Sequence, residues 1–173
     1  MENLHAKLKK VSTFIFDIDG VMTDGRIIIM PDGEQLRRMN IKDGYALQYA
    51  VKKGYHIVII SGGKSESVRY RLNGLGISEV HLACKNKVKV FNEVKEKLQL
   101  SSENILYMGD DIPDYKVMKE VGFAVCPQDA AVEIKSISHY ISSKNGGEGC
   151  VREIVEKVLK LQNKWFDEES HEW

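Results

Sequence analysis

Two short acidic runs hold most of the chemistry this sequence offers. Asp17-Ile18-Asp19-Gly20 follows one apolar run, and Gly109-Asp110-Asp111-Ile112-Pro113-Asp114 follows another. Aspartates at strand ends commonly cap turns, so one Asp-x-Asp alone says little. Together, however, the runs bring Asp17, Asp19, Asp110, Asp111 and Asp114 to the carboxyl ends of two strands. Open α/β sheets form their ligand crevices there. Such crowding of carboxylates is unfavourable unless a cation neutralises it. Oxygen donors with no histidine nearby suit a hard ion, so Mg²⁺ is expected before Zn²⁺. Capping by Asp111 or Asp114 stays open for one of the two, but it does not account for the whole set.

Two further elements suit a phosphate. Ser61-Gly62-Gly63 follows the apolar run of residues 55–60 and precedes a helix expected to begin near Lys64. A hydroxyl with backbone N–H groups at a helix N-terminus forms an anion site, although an ordinary Ser-Gly turn reads the same way. Asn86-Lys87 opens a helix over residues 87–98 with Val88, Phe91, Val94 and Leu98 as its apolar stripe. A lysine in the first turn opposes the helix dipole, which points to a second role; the alternative is a solvated side chain.

These residues need a scaffold that ends several strands on one edge. Buried strands are expected over residues 11–16, 55–60, 79–83, 104–108 and 123–125, with helix-period stretches between them. Gly54, Gly76 and Gly122 stand where helices should end. This alternation predicts an α/β fold, a Rossmann-like doubly wound parallel sheet with helices on both faces. One segment interrupts it. Residues 26–30 are β-rich, Pro31-Asp32-Gly33 is a turn signal, and residues 35–40 return, so a hairpin flap is expected at about residues 25–40. The expected organisation is one domain over residues 1–162 and a mobile tail over 163–173, with docking of Trp165 and Phe166 on a neighbour as the alternative.

Composition narrows the partners. The 173 residues carry 25 Lys+Arg and 25 Asp+Glu, without the basic excess of a nucleic-acid coat. No apolar run reaches the roughly 18 residues of a membrane span. Cys84, Cys126 and Cys150 are widely separated and lack a CxxC pair. They read as buried thiols of a cytoplasmic protein. His56, His81 and His139 have no metal-ligand spacing and read as structural.

The order Asp-x-Asp, Ser, Lys, Gly-Asp-Asp-x-x-Asp, each just beyond a strand, resembles the haloacid dehalogenase superfamily of phosphohydrolases. The resemblance is closer still to the small 3-deoxy-D-manno-octulosonate 8-phosphate phosphatases. It runs over residues 14–154 through DIDGVMTDG, NIKDGY, Leu75-Gly76-Ile77, Asn86-Lys87, the Gly109 run and GGEGCVREI. The resemblance implies that Asp17 is a nucleophile and Asp19 a general acid/base. It further implies an Mg²⁺ ion held by Asp17, the Asp19 backbone carbonyl and Asp110, supported by Asp111 and Asp114. Ser61, Gly62 and Lys87 would bind phosphate, and Asn40, Lys42, Asp43, Gly44, Gly63 and Arg71 would contact the sugar. Arg71 lies seven residues beyond Lys64, too far to cradle the phosphate with its backbone, but its guanidinium could reach a sugar carboxylate or serve as an ion-pair partner.

Larger relatives carry a cap domain, and here the hairpin takes the first insertion point. The resemblance implies a homotetramer whose sites are completed by a neighbouring subunit, with a monomer carrying a small flap as the alternative; in the assembly the glycines of residues 146–149 would let that segment approach the adjoining crevice. Position 63 departs from the pattern: octulosonate phosphatases commonly carry Arg there and nonulosonate relatives Glu, whereas this chain has glycine. The expected activity is Mg²⁺-dependent hydrolysis of a 3-deoxy-2-ketoaldonate phosphate, foremost the octulosonate 8-phosphate. A nonulosonate 9-phosphate phosphatase and a non-catalytic phosphate-binding module are the alternatives. A phosphomutase would need a closed cap to exclude water, and none fits in this length.

Overall fold

The computed structural model describes residues 4–172. Its elements in chain order are α1 (Leu4–Lys10), β1 (Thr13–Phe16), β2 (Ile28–Ile29), β3 (Gln35–Leu36), α2 (Ile41–Lys52), β4 (His56–Ile60), α3 (Glu66–Gly74), β5 (Glu79–His81), α4 (Lys87–Lys97), β6 (Ile105–Met108), α5 (Tyr115–Met118), β7 (Phe123–Cys126), α6 (Val132–Ile137), β8 (Tyr140–Ile141) and α7 (Cys150–Leu161). The main sheet runs β5-β4-β1-β6-β7-β8 and every pair in it is parallel. Counted among these six, the chain order is third, second, first, fourth, fifth, sixth, the doubly wound arrangement. The strand order reverses between β1 and β6, which are neighbours.

Strand β1 reads Thr-Phe-Ile-Phe and is buried throughout. Its side chains alternate faces, as the strand period requires. Phe14 and Phe16 join Ile57, Ile59 and the apolar stripe of α7 on one face of the sheet. Ile15 joins Val58, Ile60, Phe91 and Tyr107 on the other. Both faces are therefore sealed by helices, and β1 is held by strands on either side. That rigidity fixes the residue following it.

Three expectations change. The hairpin is present, but its paired part is Ile28–Ile29 against Gln35–Leu36, shorter than expected. It projects from the sheet with Ile28 and Ile29 66% and 70% exposed, so little packing extends the pairing. Helix α3 starts at Glu66 rather than near Lys64, because the Ser65 hydroxyl caps the Val68 N–H. The described part of the expected mobile tail lies against the body. Trp165 meets the rings of Tyr45 and Tyr49 edge-on, with the Arg152 guanidinium over it. Asp167 accepts from the Tyr49 hydroxyl and pairs with Lys53. The amphipathic Trp165 supplies the area that holds the segment down, while Phe166 stays exposed.

Candidate active site

Because β1 and β6 pair in register from Thr13↔Ile105 to Phe16↔Met108, both acidic runs start at the same height on the sheet edge. The Asp17 N–H donates to the Met108 carbonyl at 3.1 Å, continuing that ladder. Asp17 is buried, and its Oδ1 accepts from the Ile18 N–H at 2.7 Å. Its Oδ2 is 2.7 Å from Lys87 Nζ. Lys87 is the first residue of α4, whose start is capped by the Asn86 side chain. The buried ammonium also lies 2.7 Å from Asp114 Oδ1. Asp114 in turn accepts from the Tyr107 hydroxyl at 2.5 Å and from the Asp110 N–H at 3.3 Å. Asp111 is exposed and caps the Ile112 N–H, so the capping alternative applies to it.

Asp17, Asp110 and Asp114 place carboxylate oxygens within 4.8 Å of one another. Burial, with the Asp114 charge adding and Lys87 offsetting, raises the Asp17 pKa to about 6. Burial and the charges of Asp17 and Asp114 push Asp110 up to about 7. For Lys87 burial opposes the charge, but Asp17 and Asp114 outweigh it and the pKa rises. One ammonium thus faces three crowded carboxylates, a balance that a further cation improves. Among the described residues this metal-competent cluster contains no histidine or cysteine. An all-oxygen set fits Mg²⁺: both oxygens of Asp17 and of Asp114 already face protein donors, whereas the Asp110 carboxylate accepts from none among the described residues. Gly20, at φ +85°, matters here: a Cβ on it would stand 2.0 Å from Asp110 Oδ2, so no side chain is tolerated where that carboxylate rests.

Opposite the acids, the end of β4 contributes Ser61, Gly62 and Gly63 to the same crevice, whose volume is about 460 Å³. Ser61 is buried and its Oγ accepts from the Gly63 N–H at 3.3 Å. Since α3 begins beyond Ser65, the anion-binding groups here are the hydroxyl and loop amides rather than a helix N-terminus. A larger groove, about 850 Å³, runs along α1 and α7, but none of the clustered acids, Ser61 or Lys87 lines it.

Residues 76–154 match the haloacid dehalogenase-like hydrolase family. The chain is 36% identical over 159 residues to the 3-deoxy-D-manno-octulosonate 8-phosphate phosphatase KdsC of Escherichia coli K12, covering 92% of this chain and 85% of that one. The chain belongs to the 3-deoxy-D-manno-octulosonate 8-phosphate phosphatase family. A crystal structure of that phosphatase from Moraxella catarrhalis, in complex with magnesium ion, phosphate ion and KDO, superposes with TM-score 0.91 and 33% identity, covering 95% of each chain. The Yersinia pestis phosphatase gives TM-score 0.91 at 32% identity, covering 94% of this chain and 88% of that chain.

Within this octulosonate phosphatase fold the expected sugar contacts separate. Gly63 lines the crevice. Arg71 is exposed and its guanidinium lies against Gly44, 2.7 Å from where a Cβ would be, so the two expected contacts meet at the start of α2. Arg71 forms no ion pair among the described residues, which removes support from the ion-pair alternative. Asn40 caps α2 through the Lys42 N–H and donates to the Gly147 carbonyl at 3.2 Å. Asn40 and Lys42 line the larger groove rather than the acidic crevice. Asp43 is buried and turned toward α7, where it accepts from the Arg152 N–H at 2.7 Å. Burial raises its pKa to about 6. Within its own chain the Gly146 backbone lies close against Gly20, where a Cβ on Gly146 would stand 2.0 Å from the Gly20 carbonyl oxygen.

Two residues escaped the sequence reading. Tyr107 sits in a wholly buried strand and its hydroxyl orients Asp114; a lone polar tip immediately before Met108-Gly109-Asp110 was the available signal. Arg37, on the hairpin, grips Asp19 with two hydrogen bonds. Nothing in its local pattern distinguishes it from its neighbour Arg38, which pairs with Asp24.

Proposed function

We propose that this chain is a magnesium-dependent phosphatase that hydrolyses 3-deoxy-D-manno-octulosonate 8-phosphate to the free sugar acid and phosphate. The observation that carries the reading is the buried Asp17 carboxylate 2.7 Å from Lys87 at the strand-order reversal, in a chain alike to these phosphatases over nearly its whole length. Phosphate monoesters hydrolyse so slowly that positioning and charge neutralisation must supply most of the acceleration.

On this reading, Asp17 attacks phosphorus in line and becomes the aspartyl-phosphate. Asp19 gives a proton to the departing alkoxide oxygen, then takes one from the water that cleaves the acyl phosphate. Lys87, Ser61 and the Gly62 amide hold the phosphoryl oxygens, and Asp114 keeps Lys87 aimed at Asp17. Magnesium, held by Asp17 and Asp110 with the Asp19 carbonyl, would neutralise phosphate charge as a Lewis acid. Arg71 and Gly63 face the sugar. Asp111 supports the site at most through the loop that it caps.

The reading extends to assembly and location. The exposed apolar run at residues 27–30, with Ile28 and Ile29 mostly in water, supports a homotetramer built around the hairpins, each crevice covered by a neighbour. Three free cysteines accord with a cytoplasmic enzyme. No described helix is long and apolar enough to cross a membrane. The decisive experiment is phosphate release over a panel of sugar phosphates with and without Mg²⁺. Selective, Mg²⁺-dependent turnover of the octulosonate 8-phosphate is expected. Preference for a nonulosonate 9-phosphate, or no release from either, would overturn the reading.

A further inference from the structure

Arg37 leaves the hairpin to reach the mouth of the crevice. Its Nε donates to Asp19 Oδ1 at 2.6 Å and its Nη2 to Asp19 Oδ2 at 3.0 Å, a two-pronged grip. Nη1 donates to the Gln35 carbonyl at 3.1 Å, which steadies the guanidinium on the return strand. The Arg37 side chain is 4% exposed, whereas that of Asp19 is 36% exposed. A nearly dry guanidinium thus has one carboxylate as its anionic partner, and that carboxylate faces the substrate side.

The seat is narrow. A Cβ on Gly63 would lie 3.0 Å from Asp19 Oδ2 and 3.1 Å from Arg37 Nη2, so the guanidinium and carboxylate occupy the space that a side chain there would take. Residue 63 has an ordinary backbone conformation, hence its lack of a side chain is a matter of room and not of φ.

This grip conflicts with the role given to Asp19. A carboxylate whose two oxygens are both taken up by a guanidinium fork has neither oxygen free to meet a leaving group. The pair must open during turnover. Opening it with nothing in exchange strands a buried charge, which is costly. A sugar acid brings its own carboxylate, with the same planar, two-oxygen geometry that a guanidinium fork accepts. A neutral sugar phosphate brings no such group.

We propose that Arg37 is a specificity-determining residue: it exchanges the carboxylate of Asp19 for that of the substrate, so that an acid sugar frees the Asp19 oxygens to face the reacting atoms. The exchange rests on the phosphatase reading above and adds to it the group that recognises the acid end. It also couples the hairpin to the reacting atoms, since the guanidinium that grips Asp19 is hydrogen-bonded to the Gln35 carbonyl of the return strand.

The test compares octulosonate 8-phosphate with p-nitrophenyl phosphate and mannose 6-phosphate, all with Mg²⁺ present. In the wild type the octulosonate ester is expected to be preferred. Arg37→Ala should lower the ratio of kcat/KM values, octulosonate ester over either neutral ester, by roughly 10–100-fold, the range of a lost charged hydrogen bond. The loss should fall mainly on KM, and Arg37→Lys should restore part of it by returning the charge without the fork. Gly63→Val, which keeps Arg37 but crowds its seat, should shift the ratio in the same direction. An equal loss on all three esters would make Arg37 merely structural and overturn the proposal. Loss of carboxylate preference in Arg71→Ala with its survival in Arg37→Ala would overturn it as well. A wild type inert toward the octulosonate ester would overturn the phosphatase reading itself, and the exchange with it.

Discussion

The Lys87 ammonium stands 2.7 Å from an Asp17 carboxylate oxygen, with both groups buried at the end of the central strand. Truncating one partner of such a pair leaves the other charge without compensation. Lys87→Ala should cost about 3–5 kcal/mol in urea unfolding at neutral pH. It should also reduce phosphatase turnover at least 100-fold, because the phosphate loses its fixed cation.

Asp17→Asn separates chemistry from folding. It retains the shape and an acceptor for the Ile18 N–H, but it cannot form the acyl phosphate. Turnover should vanish while the circular dichroism spectrum and melting profile stay native-like. Activity within tenfold of wild type would contradict a nucleophilic role.

The acidic cluster predicts a metal-dependent melting temperature. Adding Mg²⁺ should raise the wild-type Tm, since a ligand bound by the native state alone contributes about 2.7 kcal/mol at 100 times its Kd. Chelation should abolish turnover. Asp110→Asn should remove both the turnover and the Mg²⁺-induced shift, and should itself stabilise the metal-free protein by relieving repulsion with Asp17 and Asp114.

Asp43 makes a pH prediction away from the crevice. Its carboxyl is raised from 3.8 to about 6 by burial, and its Oδ2 has no hydrogen-bond partner. The native state therefore holds a proton that the unfolded chain releases first. Stability falls as pH rises from about 4 to 6, and the loss persists above that window. Asp43→Asn keeps an oxygen for the Arg152 N–H and never ionises. Measured against wild type, it should gain about 1–3 kcal/mol between pH 4.5 and 7.5. A pH-independent difference would contradict the assignment.

The hairpin prediction concerns assembly. Ile28→Asp with Ile29→Lys places charges on two apolar positions that the chain leaves mostly exposed. Sedimentation should show dissociation to smaller species, and KM for the octulosonate ester should rise. A wild type that sediments as a fully active monomer would rule out a shared site.

Much of this protein is determined locally, and for that reason its sequence is readable. A buried strand such as β1 needs consecutive apolar residues because both its faces are covered, so its end, and Asp17 beyond it, can be found by pattern alone. The same holds for β6 and the Gly109 run, and for the stripe of α4 that begins at Lys87. Motif order then implied one crevice, because parallel strands all end on one edge. What the tertiary structure decided is which carboxylate meets which cation. Lys87 joins Asp114, 27 residues away, and Arg37 joins Asp19 across 18, contacts that depend on helix placement and hairpin tilt and leave no periodic trace. Asp43 and Asn40 lie in a motif that the resemblance assigns to the sugar, and only the fold shows that their side chains also tie α2 to α7 and the Gly147 turn. A polar side chain near a site reads alike whether it faces ligand or backbone, and the direction it faces is set by packing between elements distant in sequence.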